Sequence, residues 1–391
     1  MRQQLKPLVP PRAEPTRVIM IPSASGGIGH ISRTATLARA LRMLDPEIEV
    51  EYVLDAERLR PFNIEATIQM GYRPRLMPPR NRDSRDAIAR ACLGDADVIV
   101  DDTTRYLVPL RHCVPRAAWV SIPMTPIGDE LFLDWPFMKQ MDAIIWAYAP
   151  LIGMPRDLDA VRDKVLATGP FLTLDDVPDP AASRVRLGFA PGTQTITYAP
   201  RGFPFGREFG HRVLSSVYAA VDALRTTTCP DLTLTLLAVG DIAELQGIPG
   251  LPATLPGWVR VHGLVPQADA LMHMSAASIV VAEGTSTMHE AAALGTPMVL
   301  TPGPIVETTV LAQRLAEHDA ARTFLVHDIS SDRLMEAFAA ILVDPVSGKA
   351  MATRARALVT GGGGVIAAAR LVLDLAARQR TATPARQLGA A

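Results

Sequence analysis

Residues 277–304 read ASIVVAEGTSTMHEAAALGTPMVLTPGP, and the reading of this stretch decides the fold. Ser278 to Ala282 is a short apolar run of strand character that ends at Glu283 and Gly284. Thr285, Ser286 and Thr287 follow, and the residues from about Ser286 to Leu294 have the composition of a helix. Gly295 supplies the left-handed residue that stops such a helix, and Pro297 opens a second apolar run, PMVLTP. A turn of this kind aims free backbone N–H groups and the positive helix end at whatever lies above the sheet, which suits a phosphate. Glu290 lies four residues after Ser286 and three after Thr287, so all three share one helix face. That face would hold a diphosphate at its tip and a ribose one turn further in. Thr287-x-x-Glu290 fits a capping box equally well, with both side chains spent on backbone N–H groups, and spacing alone leaves the two readings open.

Working outward, the chain shows two successive series of alternating strand and helix. The first opens with RVIMIPS (17–23), then the glycine-rich turn Ser25-Gly26-Gly27-Ile28-Gly29-His30 and a helix with Leu37, Leu41 and Leu44 at helical spacing. EVEYVLD (49–55) follows, ending on Asp55, where a dinucleotide-binding domain carries its ribose-binding acid. That fingerprint breaks at its third glycine, since Gly27-x-Gly29-x-x-Ser32 puts a Ser where helix and strand must pack closely. Residues 95–123 read as strand, helix, strand, with Asp101 and Asp102 at the carboxyl end of the first strand. Ligands bind at that end in open α/β sheets, although either acid could instead cap the following helix. Residues 173–186, TLDDVPDPAASRVR, are acidic, proline-rich and aperiodic and mark a linker. The second series runs through TITYAPRG (195–202), LTLTLLAVGD (232–241), WVRVHGLV (258–265), the stretch quoted above and TFLVH (323–327). Two such series predict two doubly wound α/β domains.

The run E-G-T-S-T-M-H-E-A-A-A-L-G-T-P-M (283–298) resembles the donor-nucleotide motif of the GT-B glycosyltransferases. It is similar both to the peptidoglycan N-acetylglucosaminyltransferases of family 28 and to the bacterial macrolide-type transferases of family 1. The turn G-G-I-G-H-x-x-R (26–33) resembles the glycine-rich N-terminal loop of the same enzymes, which ends in His. The resemblance implies two Rossmann-like domains facing a central cleft. It also implies the organisation: a disordered tail over 1–16, an acceptor-binding domain over 17–172, a linker over 173–190, a nucleotide-sugar domain over 191–360, a helix over 361–379 crossing back to the first domain, and a tail over 380–391.

Carried over by position, the resemblance makes His30 the catalytic base and Asp102 the carboxylate that orients it, chemistry for which the two groups are suited. Donor contacts would come from Gly27, Gly29, Arg201 and Gly202, and from Gly263, Leu264 and Val265 at the base. Gly284, Thr285, Ser286 and Thr287 would meet the diphosphate, Glu290 the ribose and Glu307 the sugar. Phe132, Trp135 and Phe137, in the irregular stretch 124–142, would line the acceptor pocket or tie that stretch to its own core. Two departures stand out. Ala282 occupies the place of a phosphate-contacting His or Arg, and the Gln of the sugar-reading Asp-Gln pair is missing at Glu307-Thr308.

The bulk properties narrow the partners. With 391 residues, 48% hydrophobic and 20% charged, the chain has enough material for two or three domains with sizeable cores. A net charge of −1 argues against nucleic acid as the main partner. Only four of the 39 basic residues are Lys; Arg80, Arg82 and Arg85 read as a solvated loop and helix face, with a contact of Arg73, Arg75, Arg80 and Arg82 to an acidic acceptor or anionic lipid as the alternative. Cys92, Cys113 and Cys229 are few and far apart, which implies neither a disulfide framework nor a zinc cluster. The proline-rich N-terminus lacks the apolar core of a signal peptide, and no unbroken apolar run reaches the roughly 18 residues of a membrane span. A cytoplasmic protein, at most peripheral to the inner membrane face, is expected. The resemblance thus implies an inverting transferase that needs no cofactor or metal and moves a sugar from UDP or dTDP to an acceptor hydroxyl, on a lipid or a small natural product. Alternatives are a nucleotide-sugar hydrolase or epimerase of the same fold, or a non-catalytic partner of another transferase.

Overall fold

The computed structural model describes residues 15–23, 28–57, 59–78, 85–103, 110–124, 135–172, 174, 177–200, 207–237, 245–263, 265–360 and 363–382. It divides into two compact units, Met1–Leu172 with Gly361–Ala391, and Thr173–Thr360.

In the first unit the order is β1 (Arg17–Pro22), α1 (Gly29–Leu44), β2 (Glu49–Asp55), α2 (Pro61–Gln69), β3 (Pro74–Met77), α3 (Arg85–Leu93), β4 (Val98–Asp102), β5 (Ala118–Ile122), α4 (Trp135–Gln140), β6 (Ala143–Trp146) and β7 (Val165–Ala167). The strands form one parallel sheet ordered β3-β2-β1-β4-β5-β6-β7. Central strands of such sheets are covered on both faces, which is why β1 and β4 read as continuous apolar runs. Val18 to Ile21 and Val98 to Val100 have no exposed surface. Asp101 and Asp102 are the exception, carboxylates at 1% and 0% exposure on the last two positions of β4. The reversal of the sheet order lies between β1 and β4, so the strand that precedes α1 and the strand carrying Asp102 are neighbours, about 4.8 Å apart.

The second unit contains α5 (Pro180–Arg186), β8 (Thr195–Ala199), α6 (Arg207–Thr227), β9 (Thr233–Leu237), β10 (Val259–His262), α7 (Gln267–Ala276), β11 (Ile279–Ala282), α8 (Thr285–Leu294), β12 (Met298–Leu300), α9 (Val306–Glu317), β13 (Arg322–Thr323), α10 (Ser331–Val343) and α11 (Pro345–Val359). Its parallel sheet runs β10-β9-β8-β11-β12-β13. The quoted stretch is the heart of it: β11 pairs with β8 on one side and β12 on the other. Gly295 closes α8 at φ 73°, the left-handed conformation predicted for it.

Several boundaries differ from the sequence expectation. Residues 173–190 are not linker throughout, because Pro180–Arg186 is a helix with Pro at its start and Asp179 as its cap, accepting from Ala182 N at 2.8 Å. A seven-residue helix shows no periodicity to read. The last strand, expected over 323–327, shrinks to Arg322–Thr323.

The final helix, α12 (Gly364–Ala382), belongs to the first unit. Gly363 before it and Gly364 at its first position stand at φ 73° and 51°, conformations that glycine adopts without strain. Ala368, Ala369, Val372, Leu373 and Ala376 of α12 enter one core cluster with Ala35, Ala38 and Leu41 of α1, small residues that let the helices approach. Arg380 donates to Asp97 from Nε at 2.9 Å and Nη2 at 2.6 Å, which extends the helix through the first residues of the expected tail. An 18-residue window within Pro345–Thr381 reaches mean hydropathy 1.5, enough by length and composition for a membrane span.

Candidate active site

In the first unit the polar groups converge where β1 and β4 end. The ladder continues past β1 as Ser23 N donates to Asp102 O at 2.9 Å. α1 then starts at Gly29, with no side chain capping it, and places His30 on its first turn. Among the described residues Asp102 pairs with α1, not with a helix that follows β4. Its Oδ1 lies 2.8 Å from His30 Nδ1 and its Oδ2 accepts from Arg33 Nε at 2.8 Å, while Arg33 Nη2 also pairs with Oδ1. Arg33 follows His30 by three residues, the spacing that puts both on one helix face. Its Nη1 donates to Tyr148 OH at 3.4 Å.

Thr103 completes the carboxylate's surroundings, its Oγ1 donating to Asp102 Oδ1 at 3.0 Å. This β-branched residue sits at φ 66°, a conformation that costs about 1–3 kcal/mol and is kept only where the surroundings enforce it. Burial alone would raise the Asp102 pKa, but Arg33 and His30 reverse this and hold the carboxyl well below the usual range. The Arg33 guanidinium is correspondingly pushed above its ordinary value, burial being outweighed by Asp102 and Tyr148. The result is a buried, ionised carboxylate that fixes the imidazole. With Nδ1–H donated to Asp102, Nε2 is the ring nitrogen left to accept a proton.

In the second unit the turn after β11 is built differently. Gly284 is the N-cap of α8 and makes no side-chain cap bond. Thr287 and Glu290 lie inside the helix, so the capping-box reading falls. The N–H groups of Thr285, Ser286 and Thr287 are the open donors of the first turn. Ser286 is exposed, with Thr285 and Thr287 half-buried. Glu290 Oε1 accepts from Gln267 Nε2 at 3.0 Å, and burial pushes its pKa up to about 7 against the pull of that hydrogen bond. Gln267 opens α7 directly after residues 263–266, so the expected base-binding segment is led to the Glu290 side of the turn. Of that segment, Gly263 is exposed and Val265 half-buried. Beneath the turn, Glu283 is buried and accepts from Tyr198 OH, whose pKa burial and Glu283 raise together. Glu307 is buried in the first turn of α9, where the positive helix end favours a carboxylate.

The remaining expectations fall partly outside the description. Gly27, Arg201, Gly202, Leu264 and Phe132 lie outside the described residues; Trp135 and Phe137 lie on α4, but their side chains do too. Arg33 and Tyr148 are contacts that the sequence reading did not place in the site. The three-residue step from His30 was the available signal for Arg33, whereas Tyr148 is visible only in the folded sheet.

Over nearly its whole length the chain superposes on solved glycosyltransferases. For the spinosyn forosaminyltransferase SpnP the TM-score is 0.66 at 16% identity, covering 93% of this chain and 99% of that one. For MurG of Acinetobacter baumannii it is 0.63 at 15% identity, covering 92% and 100%. The chain has the GT-B glycosyltransferase fold. Residues 245–355, in the second unit, match the family described as UDP-glucoronosyl and UDP-glucosyl transferase. The chain is also 30% identical over 117 residues to the 3-alpha-mycarosylerythronolide B desosaminyl transferase of Saccharopolyspora erythraea, covering 29% of this chain and 26% of that protein. It is 36% identical over 90 residues to the UDP-N-acetylglucosamine--N-acetylmuramyl-(pentapeptide) pyrophosphoryl-undecaprenol N-acetylglucosamine transferase of Bacillus subtilis, covering 22% and 25%. The matched stretches thus span about a quarter of each curated relative.

Proposed function

We propose that the protein is an inverting, metal-independent glycosyltransferase that moves a sugar from a UDP- or dTDP-sugar to an acceptor hydroxyl on a lipid or small natural product. The observation that carries this reading is the His30 Nδ1–Asp102 Oδ1 pair at 2.8 Å, fixed by Arg33, at the carboxyl end of the first sheet. His30 Nε2 takes the proton of the acceptor hydroxyl as its oxygen attacks the anomeric carbon. The bond from that carbon to the diphosphate breaks with its electron pair going to phosphate oxygen. Asp102 balances the charge on the imidazolium, which then returns its proton to solvent. The N–H groups of Thr285, Ser286 and Thr287 and the positive end of α8 stabilise the leaving diphosphate. They would do so without the basic side chain that Ala282 replaces. Glu290 takes the ribose hydroxyls and Glu307 the sugar. The similarity to a macrolide-type and to a peptidoglycan precursor transferase supports both the nucleotide-sugar donor and an acceptor of natural-product or lipid type.

A calorimetric titration with UDP and with dTDP, repeated on Glu290→Ala, tests the donor half. Micromolar binding of one nucleotide, weakened by about 1 kcal/mol or more in the variant, is expected. Undetectable binding of both would sink the assignment of the 284–290 turn. Donor turnover with no acceptor present would instead identify a hydrolase.

A further inference from the structure

We infer that Asp86 Oδ2, His112 Nε2 and Cys113 Sγ form a binding site for one divalent cation of the zinc class on the first unit. The three ligand atoms lie within 4.8 Å of one another. His112 Nε2 is 2.7 Å from Asp86 Oδ2 and 3.4 Å from Cys113 Sγ. Around a tetrahedral Zn²⁺ with bonds of about 2.0–2.3 Å, ligand atoms stand roughly 3–4 Å apart, so small side-chain rotations admit the ion. One sulfur, one imidazole nitrogen and one carboxylate oxygen are a borderline donor set. It selects Zn²⁺ and its neighbours over Mg²⁺ or Ca²⁺, which take oxygen. The site is open to entry, since the Asp86 and His112 side chains are 48% and 55% exposed, while buried Cys113 forms its floor. A thiolate and a carboxylate neutralise the ion's two charges, and three protein ligands leave a fourth position for water. The residues come from α3 and from the helical turn 110–113, so an ion would cross-link segments far apart in the chain. None of them belongs to the His30–Asp102 cluster or to the donor turn, so this inference stands apart from the transferase reading.

On binding, the S–H bond of Cys113 is replaced by a metal–sulfur bond and the proton passes to solvent. Loss of that proton couples the affinity to pH, as for any thiolate ligand. The test is a titration of the full-length, chelator-treated protein with Co²⁺ and then Zn²⁺. The expected result is one equivalent of Co²⁺ giving a thiolate-to-metal charge-transfer band in the near ultraviolet, displaced by Zn²⁺ with about one proton released per ion. Cys113→Ser should abolish the band and Cys92→Ser should keep it. His112→Ala, a change at an exposed side chain, should weaken affinity by at least the roughly 10–100-fold that loss of even an outer partner costs. No band on the folded wild-type protein, or a band that survives in Cys113→Ser, would overturn the site and leave His112 and Asp86 as a surface ion pair.

Discussion

The two polar regions share one plan, a parallel strand followed by a helix, yet they place their charge in opposite ways. In the first unit the charge sits in side chains, as Asp102 is buried with no exposed surface and held by Arg33, His30 and Thr103. In the second it sits in the backbone, as open N–H groups at the start of α8, and the one carboxylate on the helix, Glu290, has its pKa raised to about 7. The difference suits the task proposed for each. A group that moves a proton needs a fixed counter-charge beside it, whereas a surface that receives a diphosphate is best left without ionised acids.

That contrast is broken most directly at His30. His30→Ala should lower transfer by about 10²–10⁴ while leaving nucleotide affinity within a factor of about two, as expected for a general base that is no part of the donor site. Initial rates at saturating donor, set beside calorimetric affinities, give the comparison. A nucleotide affinity that falls as far as the rate would mean that the two regions are not separate in function.

Arg33 sharpens the contrast through stability. Arg33→Met leaves Asp102 as a buried charge with one partner fewer and should cost about 3–5 kcal/mol, read as a shift of the urea midpoint at pH 7. The sign with pH is fixed by the lowered Asp102 pKa. In the wild type the contribution is present above the ordinary carboxylate value near 3.9 and is lost as pH falls through the lower folded value. The variant should therefore lose the acid-side slope as well as the stability. A loss of under about 1 kcal/mol would show that Asp102 gives up its charge or finds water, and the clamp would then be ornamental.

How much of this was legible in the sequence depended on the distance along the chain. The turn at 283–295 is local: strand, helix and left-handed Gly295 follow one another, close to where the residues placed them. The pair His30–Asp102 spans 72 residues, and nothing in either segment alone requires the contact. Only the resemblance joined them, and it did not supply Tyr148, which reaches Arg33 from 115 residues away. The Thr287–Glu290 ambiguity could not be resolved from spacing because the cap fell one turn earlier, on Gly284. Likewise Asp86, His112 and Cys113 meet only through the tertiary fold, since the spacing rules for metal sites count residues within one segment.

The smallest effect is the most specific to the second unit. The Glu290 pKa is raised from 4.5 to about 7, because burial penalises the carboxylate more than the Gln267 hydrogen bond supports it. Between those two values the folded protein holds more protons at this position than the unfolded chain does, so its contribution to stability falls as pH rises through the window. Glu290→Gln should flatten that part of the profile. Binding runs the other way. Ribose hydroxyls donate to the ionised carboxylate, so affinity for the nucleotide should climb by up to about tenfold per pH unit below 7 and level off above it, with a proton released on binding. Calorimetry in two buffers of different ionisation enthalpy counts that proton directly. Release that is undiminished in Glu290→Gln would move the titrating group elsewhere. Affinity that is flat from pH 5 to 8 would mean that Glu290 keeps its bond to Gln267 and leaves the ribose to the backbone.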